Sequence, residues 1–225
     1  MRLRERMDDP GCDPNRLRRT FERFHLVNGL VAGWNGTYRS QIRPAISGAT
    51  GAVRILDIGC GGGDVLRRVV RLARRDGIQV TGLGIDPDSL AIAVAEGSDP
   101  VPGVTFRRAR SDELLAEGES FDVVLSNHLL HHLGETELAS VIADSHELAT
   151  RVCVHSDIER SWFAYAGFAV IGVPFAPGSF IRVDGLRSIR RSYRRDELAA
   201  ELPPGWSVVR RRPSRLLAVC SKAGT

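Results

Sequence analysis

The segment Arg54-Ile-Leu-Asp-Ile-Gly-Cys-Gly-Gly-Gly-Asp64 sets two carboxylates, Asp57 and Asp64, around a glycine turn. Glycines here let the backbone adopt turns that other residues resist and let a ligand come close. A helix opening after such a turn offers free N–H groups and the positive end of its dipole. A dinucleotide pyrophosphate also uses that device, in the spacing G-x-G-x-x-G. Counted from Gly59, the third glycine falls on Asp64, and counting from Gly61 or Gly62 fails too. Two acids instead suit a ligand that carries a cation. Cys60 sits inside the turn, where its small size suffices.

A third acid, Asp86, ends the run Leu83-Gly-Ile-Asp-Pro87. At a strand end, an acid can accept both hydroxyls of a ribose. An isolated Asp before Pro can instead cap a helix. Its distance from the glycine turn favours the ribose. Ser111-Asp112 follows the next apolar run; Asp112 can accept from an adenine amino group or start a helix, and both readings stay open. Three histidines cluster in Ser126-Asn127-His128-Leu-Leu-His131-His132. Histidine titrates near neutrality and suits base work. His128 and His132 are the candidates for a base, one helical turn apart, and His131 points elsewhere, toward a substrate. These histidines have no carboxylate or Cys at ligand spacing, so no metal is expected.

The elements that must position these residues follow from periodicity. Residues 14–46 read as a bent or broken helical arm: Leu17, Phe21, Phe24, Val27 and Leu30 recur at helical spacing, and Gly29, Gly33 and Gly36 interrupt it. The residues from Ser47 to Gly51 read as a linker. Strands are expected at 53–58, 79–85, 104–109, 121–126 and 151–155. Helices are expected at 64–75, from Pro87 through 96, and at 135–149. Their alternation implies a parallel sheet covered on both faces. Residues 157–171 read as helical, 174–189 as irregular because of two Pro and two Gly, and 194–202 as a short helix. A final antiparallel hairpin is expected at 206–211 and 216–220. The domains are thus an arm or lid at 1–48 and a core at 49–225, with a pocket-forming insertion near 172–195.

Bulk properties narrow the class. At 225 residues and 43% hydrophobic, the chain has room for one α/β core. No apolar run nears the roughly 18 residues that span a bilayer. The charged N-terminus lacks a signal peptide's apolar stretch, so a cytoplasmic protein is expected. The four cysteines show no metal or disulfide spacing. Net charge is +4, carried by scattered arginines, with Lys222 as the single lysine. No aromatic side chains interleave with them as a nucleic-acid platform needs.

Four blocks in order, "RILDIGCGGGDV", "VTGLGIDPD", "ARSDELL" and "FDVVLSNHLLHHL", resemble the class I S-adenosylmethionine (SAM)-dependent methyltransferases. The resemblance covers about residues 50–156. It implies a Rossmann-like α/β fold whose mostly parallel seven-stranded sheet, helices on both faces, ends in an antiparallel strand. It implies SAM as methyl donor, held by Asp57, Gly59, Cys60, Gly61, Asp64, Asp86, Pro87, Ser111, Asp112, Asn127 and His128, with S-adenosylhomocysteine (SAH) as product. The arm, with Asn28, Trp34 and Tyr38, resembles that of ubiquinone/menaquinone-biosynthesis methyltransferases. The segment Asp184–Tyr193 resembles one in small-molecule methyltransferases near bacterial polyketide genes. Both imply a small aromatic, polyketide-like or quinol-like acceptor methylated at O or C. Asn28, Trp34, Tyr38, His131, Asp157, Arg160 and Arg187 are the expected acceptor contacts, in a monomer or homodimer. A nucleic-acid or protein methyltransferase is the alternative, as is a non-catalytic SAM-binding protein. The Asn/Asp-Pro-Pro-aromatic motif of amino-methyltransferases acting on DNA or RNA is missing after Ser126.

Overall fold

A computed structural model describes residues 5, 6, 9, 11–31 and 33–222, with the backbone alone at 24–31. Seven strands form one sheet: β1 (Val53–Ile58), β2 (Val80–Asp86), β3 (Val104–Arg108), β4 (Phe121–Asn127), β5 (Ala149–Ile158), β6 (Ser207–Arg211) and β7 (Arg215–Ser221). Their spatial order is β3-β2-β1-β4-β5-β7-β6. The first five run parallel, and β7 lies antiparallel between β5 and β6. The order reverses between β1 and β4, which are hydrogen-bonded neighbours. Their carboxyl ends therefore open the crevice where such sheets bind ligands. Asp57 and the glycine turn end β1, and Asn127 and His128 end β4.

Alternation along each strand divides the core into two faces. Ile55, Val123, Leu125 and Val152 pack on one side with α4 (Asp64–Arg75). Leu56, Val124 and Cys153 pack on the other with Leu114 and Leu148. Those two leucines belong to α6 (Ser111–Ala116) and α7 (Glu135–Leu148), which cover the second face. The remaining helices are α1 (Pro14–Val31), α2 (Trp34–Thr37), α3 (Arg43–Ile46), α5 (Ser89–Glu96), α8 (Trp162–Ile171), α9 (Ile181–Arg191) and α10 (Arg195–Glu201).

The arm is broken at Gly33, which takes φ +60°, and a π-helical turn, Tyr38–Ile42, joins α2 to α3. Trp34, Tyr38, Ile42 and Ile46 recur every four residues and are all buried against the first face of the sheet. Several expected bounds move. β5 runs on through Ile158 because β7 pairs with it as far as Ile158–Arg215. α5 starts at Ser89, not Pro87, because Asp88 caps it by accepting the Leu90 N–H at 2.8 Å. The stretch read as irregular holds the eleven-residue α9, with Gly185 inside it. A Cβ on Gly185 would overlap the Phe168 ring of α8, so the glycine marks a close helix crossing. No helix among the described residues is long and apolar enough to cross a membrane.

Candidate functional site

One cavity of about 900 Å³ lies over the carboxyl ends of β1 and β4. The glycine turn forms its floor. Gly59, Gly61 and Gly63 all take positive φ. At Gly61 a Cβ would meet nothing among the described residues within 4 Å, so that side of the turn is open to a ligand. At Gly63 a Cβ would overlap the Phe106 ring, so glycine there is a packing requirement as well.

Asp57, Asp64 and Asp86 line this part of the cavity. Asp57 is 1% exposed, and neither carboxylate oxygen has a well-formed hydrogen bond among the described residues. Burial, then the charges of Asp64 and Asp86, push its carboxyl well above the usual range. Asp86 accepts the Gly61 N–H and the Asp88 N–H, each at 3.0 Å. Burial raises its carboxyl too, against the lowering effect of those two amides. Because Asp88 supplies the helix cap, Asp86 keeps lone pairs for a ligand. A buried carboxylate such as Asp57, whose oxygens lack well-formed hydrogen bonds among the described residues, is costly unless the ligand brings a cation. A ligand with an ammonium, a sulfonium and ribose hydroxyls fits this donor set, and SAM is such a ligand.

Of the residues expected to hold that ligand, Gly59, Cys60, Gly61, Pro87, Asn127 and His128 also line the cavity. Ser111 and Asp112 do not. The Ser111 hydroxyl donates to Asp144 at 2.6 Å, and Asp112 sits on the exposed first turn of α6 beside Arg110. Of their two readings, the helix start is the one the geometry carries.

The histidines line the same cavity but differ in chemistry. His128 has φ +58°, and its Nε2 lies 2.9 Å from an Arg215 guanidinium nitrogen. Arginine can only donate, so Nε2 is the acceptor and the proton of the neutral ring is on Nδ1. Burial, then Arg215, hold its pKa well below 6.5. The expectation that His128 is the base is therefore corrected: its lone pair is occupied. In the sequence Arg215 is one arginine among many and carries no signal. It is 3% exposed and also donates to Asn127 Oδ1 at 2.8 Å and to Ser156.

His131 is fixed by Asp157. The carboxylate accepts the His131 backbone N–H at 2.9 Å and stands 2.7 Å from Nδ1. Nε2 is then turned toward Glu5, 3.6 Å away, and His132 Nε2 lies 3.8 Å from the other Glu5 oxygen. Burial works to lower the His131 pKa, but Asp157 and Glu5 outweigh it and raise the ring to about 9. Glu5 is buried and accepts the Ser188 hydroxyl at 2.7 Å. Spacing along the chain shows no carboxylate at ligand spacing to these histidines; the fold brings Glu5 to them from more than 120 positions away. No pattern around Glu5 marks it in the sequence.

The expected acceptor contacts divide. Only His131 among them lines the cavity. Trp34 is 1% exposed and donates its indole N–H to Asn127 Oδ1 at 3.0 Å, beneath the site. Tyr38 is buried and donates its hydroxyl to Asp76 at 2.8 Å. Their four-residue spacing with Ile42 and Ile46 is a core stripe, so both are packing residues. Asp157 acts through His131. Arg160 pairs with Glu197, and Arg187 lies 3.8 Å from Asp184; neither arginine lines the cavity. The side chain of Asn28 lies outside the described residues. Tyr38→Phe should cost about 1 kcal/mol of stability, read by chemical denaturation, and leave ligand binding intact. A change in SAH affinity would return Tyr38 to the site.

The matches to known proteins agree with this geometry. Residues 55–151 match the model of a methyltransferase domain. A ubiquinone biosynthesis O-methyltransferase of Bordetella parapertussis is 31% identical over 158 residues, 69% of this chain and 59% of that protein. That of Hahella chejuensis is 34% identical over 152 residues, 66% of this chain and 60% of its own length. The chain thus spans about three-fifths of these relatives. Among solved structures, an O-methyltransferase family protein from Burkholderia thailandensis aligns with TM-score 0.61 at 16% identity, over 92% of this chain and 60% of that one. The plantazolicin methyltransferase BpumL, solved with a triazolic desmethylPZN analog and SAH, aligns with TM-score 0.58 at 14% identity, over 90% and 85%. Sheet order, glycine turn and matched domain together define a class I SAM-dependent methyltransferase domain. Its relatives by sequence are ubiquinone biosynthesis O-methyltransferases, and the chain is similar to them over that domain.

Proposed function

We propose that this chain transfers a methyl group from SAM to an oxygen of a small aromatic or quinol-like acceptor. The observation that carries the reading is a single cavity with two chemically different ends. One end is the glycine turn with Asp57, Asp64 and Asp86. The rest is walled by Leu17 and Phe21 of α1, Phe163, Phe168 and Ile171 of α8, and Ile181 and Ile189 of α9, around the histidine cluster. Apolar walls suit an aromatic body, and the cluster supplies polar groups for its hydroxyl. The relatives named for O-methylation support oxygen as the acceptor atom.

When bound, SAM supplies an electrophilic methyl group on sulfur. The chain's work is to orient and to exclude water. Asp86, oriented by the Gly61 amide, fixes the ribose end, and Asp57 holds the cationic end. Arg215 locks His128 and Asn127 at the tip of β4, which shapes the wall between donor and acceptor. The α8–α9 pair covers the acceptor from above. Calorimetry with SAH tests the reading: micromolar binding is expected, weakened about tenfold in Asp86→Ala by loss of ribose contacts. No binding by the wild-type chain sinks the proposal.

A further inference from the structure

We infer, resting on the methyltransferase reading, that Arg215 binds the acceptor and that the acceptor enters as an anion, its ionised phenol oxygen held by the guanidinium. Arg215 opens β7 and lines the cavity. Its Nε donates to Ser156 Oγ at 3.1 Å, and Nη2 donates to Ser156 and, at 2.8 Å, to Asn127 Oδ1. Nη1 donates to His128 Nε2 at 2.9 Å. A guanidinium carries five N–H groups. These contacts use four, and the second N–H of Nη1 has no acceptor among the described residues. The Trp34 indole N–H donates to the same Asn127 oxygen, which keeps that oxygen turned toward the guanidinium. The cation is thus held at the tip of β4, where the two halves of the cavity meet.

All of these partners are neutral: a hydroxyl, an amide and the imidazole of His128, which burial and Arg215 keep uncharged. Burial pushes the Arg215 pKa down to about 10, against the charge of Asp157, so the guanidinium stays charged at neutral pH. The acids around the histidine cluster face other cations. Asp157 faces His131 and accepts the backbone N–H groups of His131 and Ile158. Glu5 faces His131, His132 and Arg191, and Asp184 faces Arg187. No carboxylate stands within ion-pair distance of Arg215 among the described residues. A buried cation without an anion is costly, and an anionic ligand relieves that cost. Asp57 is its mirror image at the other end, a buried anion met by the cation of the donor. The histidines point the same way. His128 Nε2 is already an acceptor, and against burial Asp157 and Glu5 raise His131 to about 9, so that ring holds its proton. An acceptor that arrives ionised leaves its proton in the solvent and needs neither ring as a base. Its oxygen electron pair forms the O–C bond, and the S–C bond breaks with its pair left on sulfur. The neutral methyl ether no longer matches the cation, which favours its release.

The test uses the full chain saturated with SAH and 4-nitrocatechol as probe, whose ionised form absorbs at longer wavelength than its acid form. The midpoint of its ionisation against pH is read free and bound. A cation in contact lowers a phenol's pKa, and an apolar cavity alone raises it. On the wild-type chain the midpoint should fall at least about one pH unit below that of the free probe. Arg215→Met should reverse the sign and lift the midpoint above the free value. Arg215→Lys, which keeps the charge, should hold it below. SAH calorimetry on each variant checks that it is folded. A wild-type midpoint at or above the free value, or no binding of the probe, overturns the inference. So does Arg215→Met weakening both forms of the probe alike, which is what a residue that only positions His128 and Asn127 would give. Any of these with SAH still bound leaves the methyltransferase reading standing. Absent SAH binding by the wild-type chain sinks that reading and the inference with it.

Discussion

Asp57→Asn should make the ligand-free protein more stable and the cofactor site far weaker. The carboxylate is buried beside Asp64 and Asp86, and its oxygens lack well-formed hydrogen bonds among the described residues. A neutral amide of the same shape removes the charge repulsion and most of the desolvation cost. The expected gain is at least about 1 kcal/mol, or about 2–4 °C in Tm for each kcal/mol in a chain of this size. Binding moves the other way. A charge-assisted contact to the ligand ammonium is worth about 1.5–3 kcal/mol, so SAH affinity should fall roughly 10–150-fold. Scanning calorimetry and binding calorimetry on one preparation read both. A lower Tm with unchanged affinity would show that Asp57 is a structural acid.

The same residue gives a pH signature. Its folded pKa is raised above the unfolded value, so between the two the folded state holds the extra proton. Stability contributed by that site is then greatest at low pH and falls as pH rises through the window above about 3.9. In Asp57→Asn this component should vanish, which difference curves of ΔG against pH would show. The pattern is that of a binding site whose repulsion is stored in the fold and relieved by its ligand.

The cofactor half was legible because strand, turn and acid recur at short spacing. Asp57, Gly61 and Asp86 all sit where a strand ends, and the hydrophobic period locates strand ends. The acceptor half is assembled from distant segments, and spacing carries no information about it. Glu5 reaches His131 from the opposite side of β1, and Arg215 reaches His128 across 87 positions. Trp34 and Tyr38 have the aromatic type of an acceptor contact but the period of a core residue. Their spacing with Ile42 and Ile46 already described a buried stripe. Asp112 was ambiguous in sequence because a helix start and an adenine contact require the same residue type.

The second large effect lies in α9, a helix within a stretch whose Pro and Gly content predicts irregular structure. Gly185→Ala should loosen the α8–α9 pair while leaving the cofactor end intact. Helix propensity alone favours Ala by about 1 kcal/mol. The added Cβ would overlap the Phe168 ring, and overpacking of that kind costs typically about 1–3 kcal/mol. The clash outweighs the propensity because Phe168 faces the cavity and α8 has no fully buried residue to hold it elsewhere. Release is therefore local: α8 can swing away without opening the sheet core. Amide exchange across Trp162–Ile171 should accelerate about 5–150-fold, and SAH affinity should stay within about twofold, since Asp57, Gly61 and Asp86 are on other elements. Unchanged exchange in α8 would mean that Phe168 turns aside at no cost and that the glycine is not what sets the crossing. Faster exchange with equally weakened SAH binding would mean that the helix pair clamps the cofactor as well as the acceptor.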